Sequence, residues 1–401
     1  MKDKHSTAFW MFALLGLSCL LVSMDRRIFW VFASSIRHDL GLKQQQVQMA
    51  SEAIQFGLGA ASLGAGYLVR VVNRKGLAIA GLLIASLATV WTAYAQDFQG
   101  MFATRLVVGA GSALNLLAIL TMGIHYFPRQ RSNVIATVFF FMGAGALIAV
   151  NLGPIIGGAT DWHEPLIAFG LAGLPMAIAI FAFAKPWLTE ATAPQRLDIY
   201  PAQQPPASSI VSRRVMLLLA MTVLLSLCIS SFRDNYLYHI REESGFTWQF
   251  GQLAVSAYAF GNLFAFYGAS VFRRYGARRV LITSFALTGT LSLLIFTIKW
   301  EYAFAHVMFS ILLGVFLGGI ATVSLLSAMI DSVVAAQRAP VMGLFFASLI
   351  TPNFFSNSLC QVAEAAMGYA AAGLLLMSGS VFLAAVLATR LPALHRTPLR
   401  I

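Results

Sequence analysis

The chain has 401 residues, of which 59% are hydrophobic and 10% charged, with a formal net charge of +12, whereas soluble globular domains have roughly 45–50% apolar and about 25% charged residues. So small a polar complement excludes an ordinary soluble domain. No nucleotide-binding glycine loop, metal-ligand cluster or nucleophile constellation points to an enzyme, a cofactor or a bound metal. Cys19, Cys228 and Cys360 fall in apolar stretches, where they read as small buried hydrophobes rather than a disulfide framework.

Apolar runs of about 20 residues, each sufficient to cross a hydrocarbon core of roughly 30 Å as a helix, recur along the whole chain. Twelve are expected, near residues 8–33, 47–69, 77–96, 100–126, 134–158, 165–184, 215–239, 249–271, 280–299, 302–329, 340–366 and 369–389. The first is longer than the apolar core of a secretory leader and no small-residue cleavage site follows it, so it is expected to remain as a span. With the N-terminus inside, nineteen lysines and arginines fall on the inner side, against Arg37, Lys43, Arg241 and Lys299 outside. The positive-inside rule then places both termini in the cytoplasm. The basic excess therefore reads as topology and implies no nucleic-acid partner.

The polar, proline-rich stretch "KPWLTEATAPQRLDIYPAQQPPASSIVSRR", Lys185 to Arg214, divides the spans six and six. The expected organisation is an N-terminal six-helix bundle over 1–184, a cytoplasmic linker over 185–214, and a C-terminal six-helix bundle with a short cytoplasmic tail over 215–401. The halves also match each other in order. "IRHDLGL" at Ile36 aligns with "IREESGF" at Ile240, "GYLVRVVNRK" at Gly66 with "ASVFRRYGARR" at Ala269, and "RSNVIATVFFF" at Arg131 with "RAPVMGLFFAS" at Arg338, at offsets of 204, 203 and 207. Three matches at equivalent places argue for duplication. The fold class is an all-α, multi-pass membrane protein with twelve transmembrane helices in two pseudo-symmetric bundles, placed in the cytoplasmic (inner) membrane.

Ionisable residues inside spans are functional candidates by default. Those within or near the span ends are Asp25, Arg26, Arg27, Glu52, Arg105, Arg233, Asp234 and Glu364. Successive helical residues point about 100° apart, so Asp25, Arg26 and Arg27 do not all share one face; at least one is expected to turn towards a neighbouring helix, and helical geometry turns Arg27 away from Arg26, with a structural partner and a substrate equally open for it. Trp30, four residues after Arg26, is placed to lie over its guanidinium, and an arginine fork with an aromatic wall suits a carboxylate. Glu52 and Gln55 share a face of the second span. Arg105, Gly109, Ser112 and Asn115 follow one face of the fourth, read as lining a cavity, with a structural tie from Arg105 to Asp25 or Glu52 as the competing use. Asn353, Asn357 and Gln361 form a stripe of amides at four-residue steps. That stripe either orients a polar substrate or bonds neighbouring helices. Tyr236 and Tyr238 suit interfacial anchors, and His306 a satisfied structural group.

Duplicated six-helix halves are a pattern of secondary transporters, and the loop after the second span resembles the G-x-x-x-D-x-x-G-R-K signature of the major facilitator superfamily. Here it runs through Gly66, Arg70, Asn73, Arg74 and Lys75, with a second copy that includes Arg273 and Gly276. Arg70 and Arg273 replace the family's acids and Asn73 its second glycine. In the family that acid latches the outward-open state, so the resemblance implies a latch weakened or rebuilt in this chain. "MDRRIFWVFASSIRHDLGL" further resembles the opening of the anion:cation symporters, which include hexuronate, galactonate and aromatic-acid carriers; "RLVVGAGSALNL", "HYFPRQRSN" and "GPIIGG" are similar text. The resemblance implies that Arg26 contacts the substrate's acid group and Asp25 takes part in proton coupling. Ser112 stands where that family usually has glutamate, and Leu58 and Ser62 where tyrosine and glutamine are common, so coupling falls to Asp25 alone or with Glu52.

The expectation is a monomeric, proton-coupled importer of a small organic anion, working by alternating access in the lipid bilayer. In that scheme protonation of Asp25 frees Arg26 for the substrate. Two alternatives stand beside it. "GPIIGG" at Gly153 is the tail of an antiporter motif and suits a proton-linked exporter of a lipophilic compound; the degenerate loops suit a transport-inactive sensor on the same fold.

Overall fold

In the computed structural model, described over residues 2–158, 160–191, 209–242, 245–297 and 301–392, every regular element among the described residues is helical. The first part of the chain forms α1 (Lys2–Val31), α2 (Ala33–Asp39), α3 (Gln44–Val71), α4 (Arg74–Thr92), α5 (Phe98–Tyr126), α6 (Arg131–Gly157), α7 (His163–Phe183) and the short α8 (Pro186–Thr189). The second part begins with α9 (Arg213–Glu242), followed by α10 (Trp248–Ser256), α11 (Tyr258–Asn262), α12 (Ala265–Tyr275) and α13 (Ala277–Thr297). It continues through α14 (Ala303–Leu313), α15 (Thr322–Asp331), α16 (Arg338–Met367), α17 (Tyr369–Gly373) and α18 (Ser380–Thr389). Residues 192–208 of the expected linker and the tail from residue 393 lie outside the described residues.

Among the described residues, ten helical stretches are long and apolar enough to cross a membrane. There are eleven if Leu253–Asn262 and Ala265–Tyr275, bent by 50° at their junction, make one span. The difference from the twelve expected lies in α3, a 28-residue helix at the place of the second predicted span. It opens on Gln44, Gln45, Gln46 and Gln48 and carries Ser51, Glu52 and Gln55, which lowers its apolarity. Such a helix is stable because its polar face meets protein instead of lipid.

In the first part, α3 and α4 pack on α5, α1 on α6 and α7, and α4 on α7. In the second, α9 packs on α16 and α18, and α13 on α18. The two parts meet where α3 lies along α16 and where α6 touches α11, α12 and α15. With no hydrophobic drive between helices in lipid, close approach through small residues supplies the packing. Gly66 is one such point, since a Cβ there would sit 2.9 Å from the Ala339 carbonyl oxygen on α16. A π-helical stretch, Gly314–Ala321, joins α14 to α15. Gly261 of α11 rests against the Gly314 backbone so closely that an added Cβ would come within 2.0 Å of it.

The loop residues after α3 make local contacts. Asn73, where the family has glycine, caps α4 by accepting from the Gly76 N–H at 2.8 Å. Arg74 donates to the Ala191 carbonyl and the Lys75 ammonium to the Phe181 carbonyl, each at 2.7 Å. Gly276 ends α12 with φ of +78°, a backbone region that favours glycine. Arg70 is exposed. The contact between the two parts at this end is instead Arg131 Nη1 to Asp331 Oδ1 at 3.3 Å, joined by Arg273, which donates to Ser132 at 3.2 Å and to Asn133.

Gly109, four residues after Arg105 on α5, has a packing reason. A Cβ at Gly109 would lie 2.2 Å from the Ile54 carbonyl oxygen and 2.7 Å from the Leu58 nitrogen, both on α3. Overpacking of this kind costs about 1–3 kcal/mol. Gly109→Ala is therefore expected to lower the Tm of the purified protein, while Gly64→Ala, in open space on the same α3, leaves it unchanged or slightly raised.

Candidate functional site

The site is built outward from α1. Asp25 is 4% exposed and Arg105 fully buried, and Arg105 Nη1 lies 3.2 and 3.3 Å from the two Asp25 carboxylate oxygens. The Arg105 guanidinium also sits 4.6 Å over the Phe29 ring. Arg105 is thus a tie between α5 and α1 and does not line the cavity, which corrects the expectation for its face. Asn115 is likewise a tie. Its Nδ2 donates to the Ala78 carbonyl at 2.9 Å, and its Oδ1 accepts from Ser18 at 3.2 Å. Ser112 donates to the Val108 carbonyl at 2.6 Å. Ser112 and Asn115 do border a side pocket of about 20 Å³ together with Arg26, room for about one water.

With Asp25 turned towards α5, both Arg26 and Arg27 line a central cavity of about 220 Å³. The member of the triplet that turns away is Asp25, and Arg27, left open between cavity and neighbouring helix, meets both. Arg27 Nη2 donates to Ser256 Oγ of α10 at 2.5 Å, crossing from one part of the chain to the other. Arg26 lies in electrostatic range of Glu52, Asp25, Arg105 and Arg233, whereas the charged neighbours of Arg27 are Arg233 and Arg26, both cations.

Trp30 lines the cavity as expected, but the guanidinium over its ring is that of Arg233, at 5.9 Å, and not that of Arg26. Arg233 Nη2 is 3.2 Å from Glu52 Oε1, an ion pair between α9 and α3. Gln55 projects into the cavity, and its Oε1 is buried without a hydrogen-bond partner among the described residues. Asn353 also borders it and accepts from Ser226 at 3.4 Å and from Ser230. The amide stripe does not continue as a cavity wall, because Gln361 is exposed outside the cavity. Of the stripe's described side chains, Asn353 borders the cavity. The side chains of Asn357 and Asp234 lie outside the described residues.

Several lining residues were not anticipated. Phe139, Tyr258, Asn262, Thr322 and Phe346 complete the wall, and the Phe139 and Phe346 rings stack at 6.2 Å. The available signal was the glycine-rich "GVFLGGIA" opposite "YAFGN", which forms the π-helical stretch beside the broken eighth span. Breaks of this kind are frequent at functional sites. Tyr236 is not an interfacial anchor, being fully buried with its hydroxyl 2.8 Å from His306 Nδ1. His306 is the satisfied structural group expected.

Removing one partner of a buried pair leaves an uncompensated charge and costs about 3–5 kcal/mol, whereas replacing both by apolar groups is often neutral. Arg105→Met is accordingly expected to reduce thermal stability strongly, and Asp25→Leu combined with Arg105→Met to recover most of it. A double-mutant cycle on Tm, with no coupling between the two positions as the contrary result, checks the pair.

Residues 15–352 match the family model described as Major Facilitator Superfamily. The chain is 23% identical over 173 residues to the 4-hydroxybenzoate transporter PcaK of Pseudomonas aeruginosa, covering 41% of this chain and 38% of that one. It is 28% identical over 182 residues to the niacin transporter NiaP of Acinetobacter baylyi, covering 45% and 40%. The aligned stretches thus span about two-fifths of each relative's length. Over 95% of the chain the fold superposes on the crystal structure of the human organic anion transporter MFSD10, with a TM-score of 0.69 and 15% identity. A family match across most of the chain, on an all-helical fold with a central cavity, assigns this multi-pass membrane protein to the major facilitator superfamily of transporters.

Proposed function

We propose that the protein imports a small carboxylate, an aromatic one by preference, coupled to protons, by alternating access of two six-helix bundles. In this reading the bundles are residues 1–184 and 215–401, joined by the linker at 185–214. Twelve spans, α3 and the broken α10–α12 among them, place both termini in the cytoplasm of a cell whose inner membrane holds the protein as a monomer. The support for the topology is the skew of lysine and arginine to one side.

The observation that carries the substrate class is the charge of the cavity. Arg26, Arg27 and Arg233 face it, and Glu52, paired with Arg233, is the acid beside them among the described residues. A carboxylate entering between Arg26 and Arg27 meets two guanidinium forks, the arrangement that binds it best. Trp30, Phe139, Tyr258 and Phe346 offer aromatic walls, and Gln55, Asn262 and Asn353 offer polar atoms to a ring substituent. The substrates named for the two relatives, 4-hydroxybenzoate and niacin, are both an aromatic ring bearing a carboxyl group, which supports the same class.

Coupling is assigned to Glu52 in the first place. Its protonation removes the charge that holds Arg233, and this pair joins the bundles at the rim of the cavity. Asp25 stays a second candidate, with a changed logic. Its ion-pair partner is Arg105, so protonation of Asp25 loosens α1 from α5 instead of freeing Arg26 directly.

Uptake of labelled 4-hydroxybenzoate and nicotinate into proteoliposomes, with and without an imposed inward proton gradient, tests the reading. A lost charge-assisted hydrogen bond is worth about 1.5–3 kcal/mol, so Arg26→Ala and Arg27→Ala are each expected to weaken apparent affinity about 10- to 100-fold. Unchanged affinity in both variants would remove the carboxylate site. Glu52→Gln is expected to retain counterflow while losing accumulation driven by the gradient. Gradient-driven efflux in the wild type would favour an exporter, and binding without flux a sensor.

A further inference from the structure

At the far end of α9 from Arg233, a second cluster of charge has no place in the substrate reading. Arg214 and Arg233 are 19 positions apart on that helix, about 28 Å along its axis at 1.5 Å per residue. Arg214 is one of three arginines that gather around Asp331 at the end of α15, with Arg131 at the start of α6 and Arg338 at the start of α16, and His125 at the end of α5 adjoins the last two. Arg131 is 3.3 Å from Asp331, and Arg214 and Arg338 face the same carboxylate. His125 faces Arg131, Arg338 and Arg74; Arg74 in turn faces Glu190.

One carboxylate does not satisfy three guanidinium groups with five donors each. The Nε atoms of Arg131, Arg214 and Arg338, Nη1 of Arg338 and Nδ1 of His125 are all buried without a hydrogen-bond partner among the described residues. Topology alone does not ask for this. The positive-inside rule requires cations near the surface, and exposed arginines such as Arg70 and Arg279 meet it without burying any donor. Arg131 and Arg338 are moreover equivalent positions of the internal repeat, brought together on either side of Asp331, so the vacancy in hydrogen bonding lies on the line where the two parts of the chain meet.

We propose that this cluster binds a phosphate group, presented by an anionic lipid headgroup or as the free anion. Three guanidinium groups arriving from α6, α9 and α16 suit an acceptor with several oxygens at tetrahedral angles, and the cluster lies at helix ends, the depth at which lipid phosphates sit. The anion accepts the donors that Asp331 leaves over and ties α5 and α6 to α9 and α16. Occupancy therefore favours the arrangement in which this end is closed.

The test is thermal unfolding of the full-length purified protein in two arms. In neutral detergent, sodium phosphate is compared with sodium chloride at matched ionic strength; in nanodiscs, phosphatidylcholine is compared with phosphatidylcholine containing phosphatidylglycerol. The expected result is a rise in Tm of about 2 °C or more in at least one arm. It is lost in Arg338→Gln and in Arg214→Gln, reduced in Arg338→Lys, and kept in Arg279→Gln. A rise with phosphatidylglycerol alone identifies the lipid headgroup as the source, and a rise with phosphate identifies the free anion. No rise in either arm overturns the proposal. So does a rise that persists undiminished in Arg338→Gln and Arg214→Gln, or one that falls equally in Arg279→Gln, which would reduce it to diffuse charge. Each variant is read against its own ligand-free Tm, and if one does not fold, the other carries the comparison.

Discussion

The buried ion pair between Asp25 and Arg105 sets the rotation of α1, and much of the site depends on that rotation. Counting about 100° per residue from Asp25, Arg26 falls at about 100°, Trp30 at about 140°, Ser23 at about 160° and Arg27 at about 200°. All four line the cavity, while Asp25 points away from it. A rotation of α1 that brought Asp25 to the cavity would put its negative charge there and carry the arginines round with it. Arg105 prevents this, and the Phe29 ring beneath its guanidinium closes that side. The cavity therefore keeps an excess of positive charge without leaving a buried carboxylate unmatched.

A second constraint is the close approach of helices through small residues. Gly57 and Gly109 bring the α3 and α5 backbones together, which carries Glu52 and Gln55 to the α1 side of the bundle. On the opposite wall, Gly261 and Gly314 let the broken eighth span rest on the π-helical stretch, which opens room for Tyr258, Asn262 and Thr322. In lipid, where apolar burial does not distinguish one helix neighbour from another, such contacts decide which helices touch.

The two parts of the chain are linked by polar contacts at both ends of the cavity. Glu52 with Arg233 and Arg27 with Ser256 lie at one end. Arg131 with Asp331 and Arg273 with Ser132 and Asn133 lie at the other. The stacked rings of Phe139 and Phe346 stand eight residues, about 12 Å, from Arg131 and Arg338 along their helices. A carrier that alternates its access must weaken one set while keeping the other. Single ion pairs and hydrogen bonds suit that task, because each is modest in net free energy yet specific in geometry. The signature loop shows the same economy. Arg70 is exposed, and the ionic contact at this end is made by Arg131 with Asp331 of the other part of the chain.

Composition and the spacing of apolar runs determined the all-helical membrane fold, since a chain with so few charges has no other way to satisfy its backbone in lipid. Internal matches such as Arg131 with Arg338 gave the expectation of a duplication, and the charges at Asp25, Arg26, Glu52, Arg105 and Arg233 stood out because lipid does not tolerate them singly. Which of them pair was not legible. Helical periodicity gives the angles between neighbours on one helix, but the absolute rotation of that helix is decided by contacts far away in sequence. Only the tertiary structure turned Asp25 to Arg105, Arg27 to Ser256 and Arg233 to Glu52 and Trp30. It also left Gln361 outside the cavity and made Asn115 a strut, because an amide or a guanidinium serves a substrate or a neighbouring helix equally well until its partner is in place.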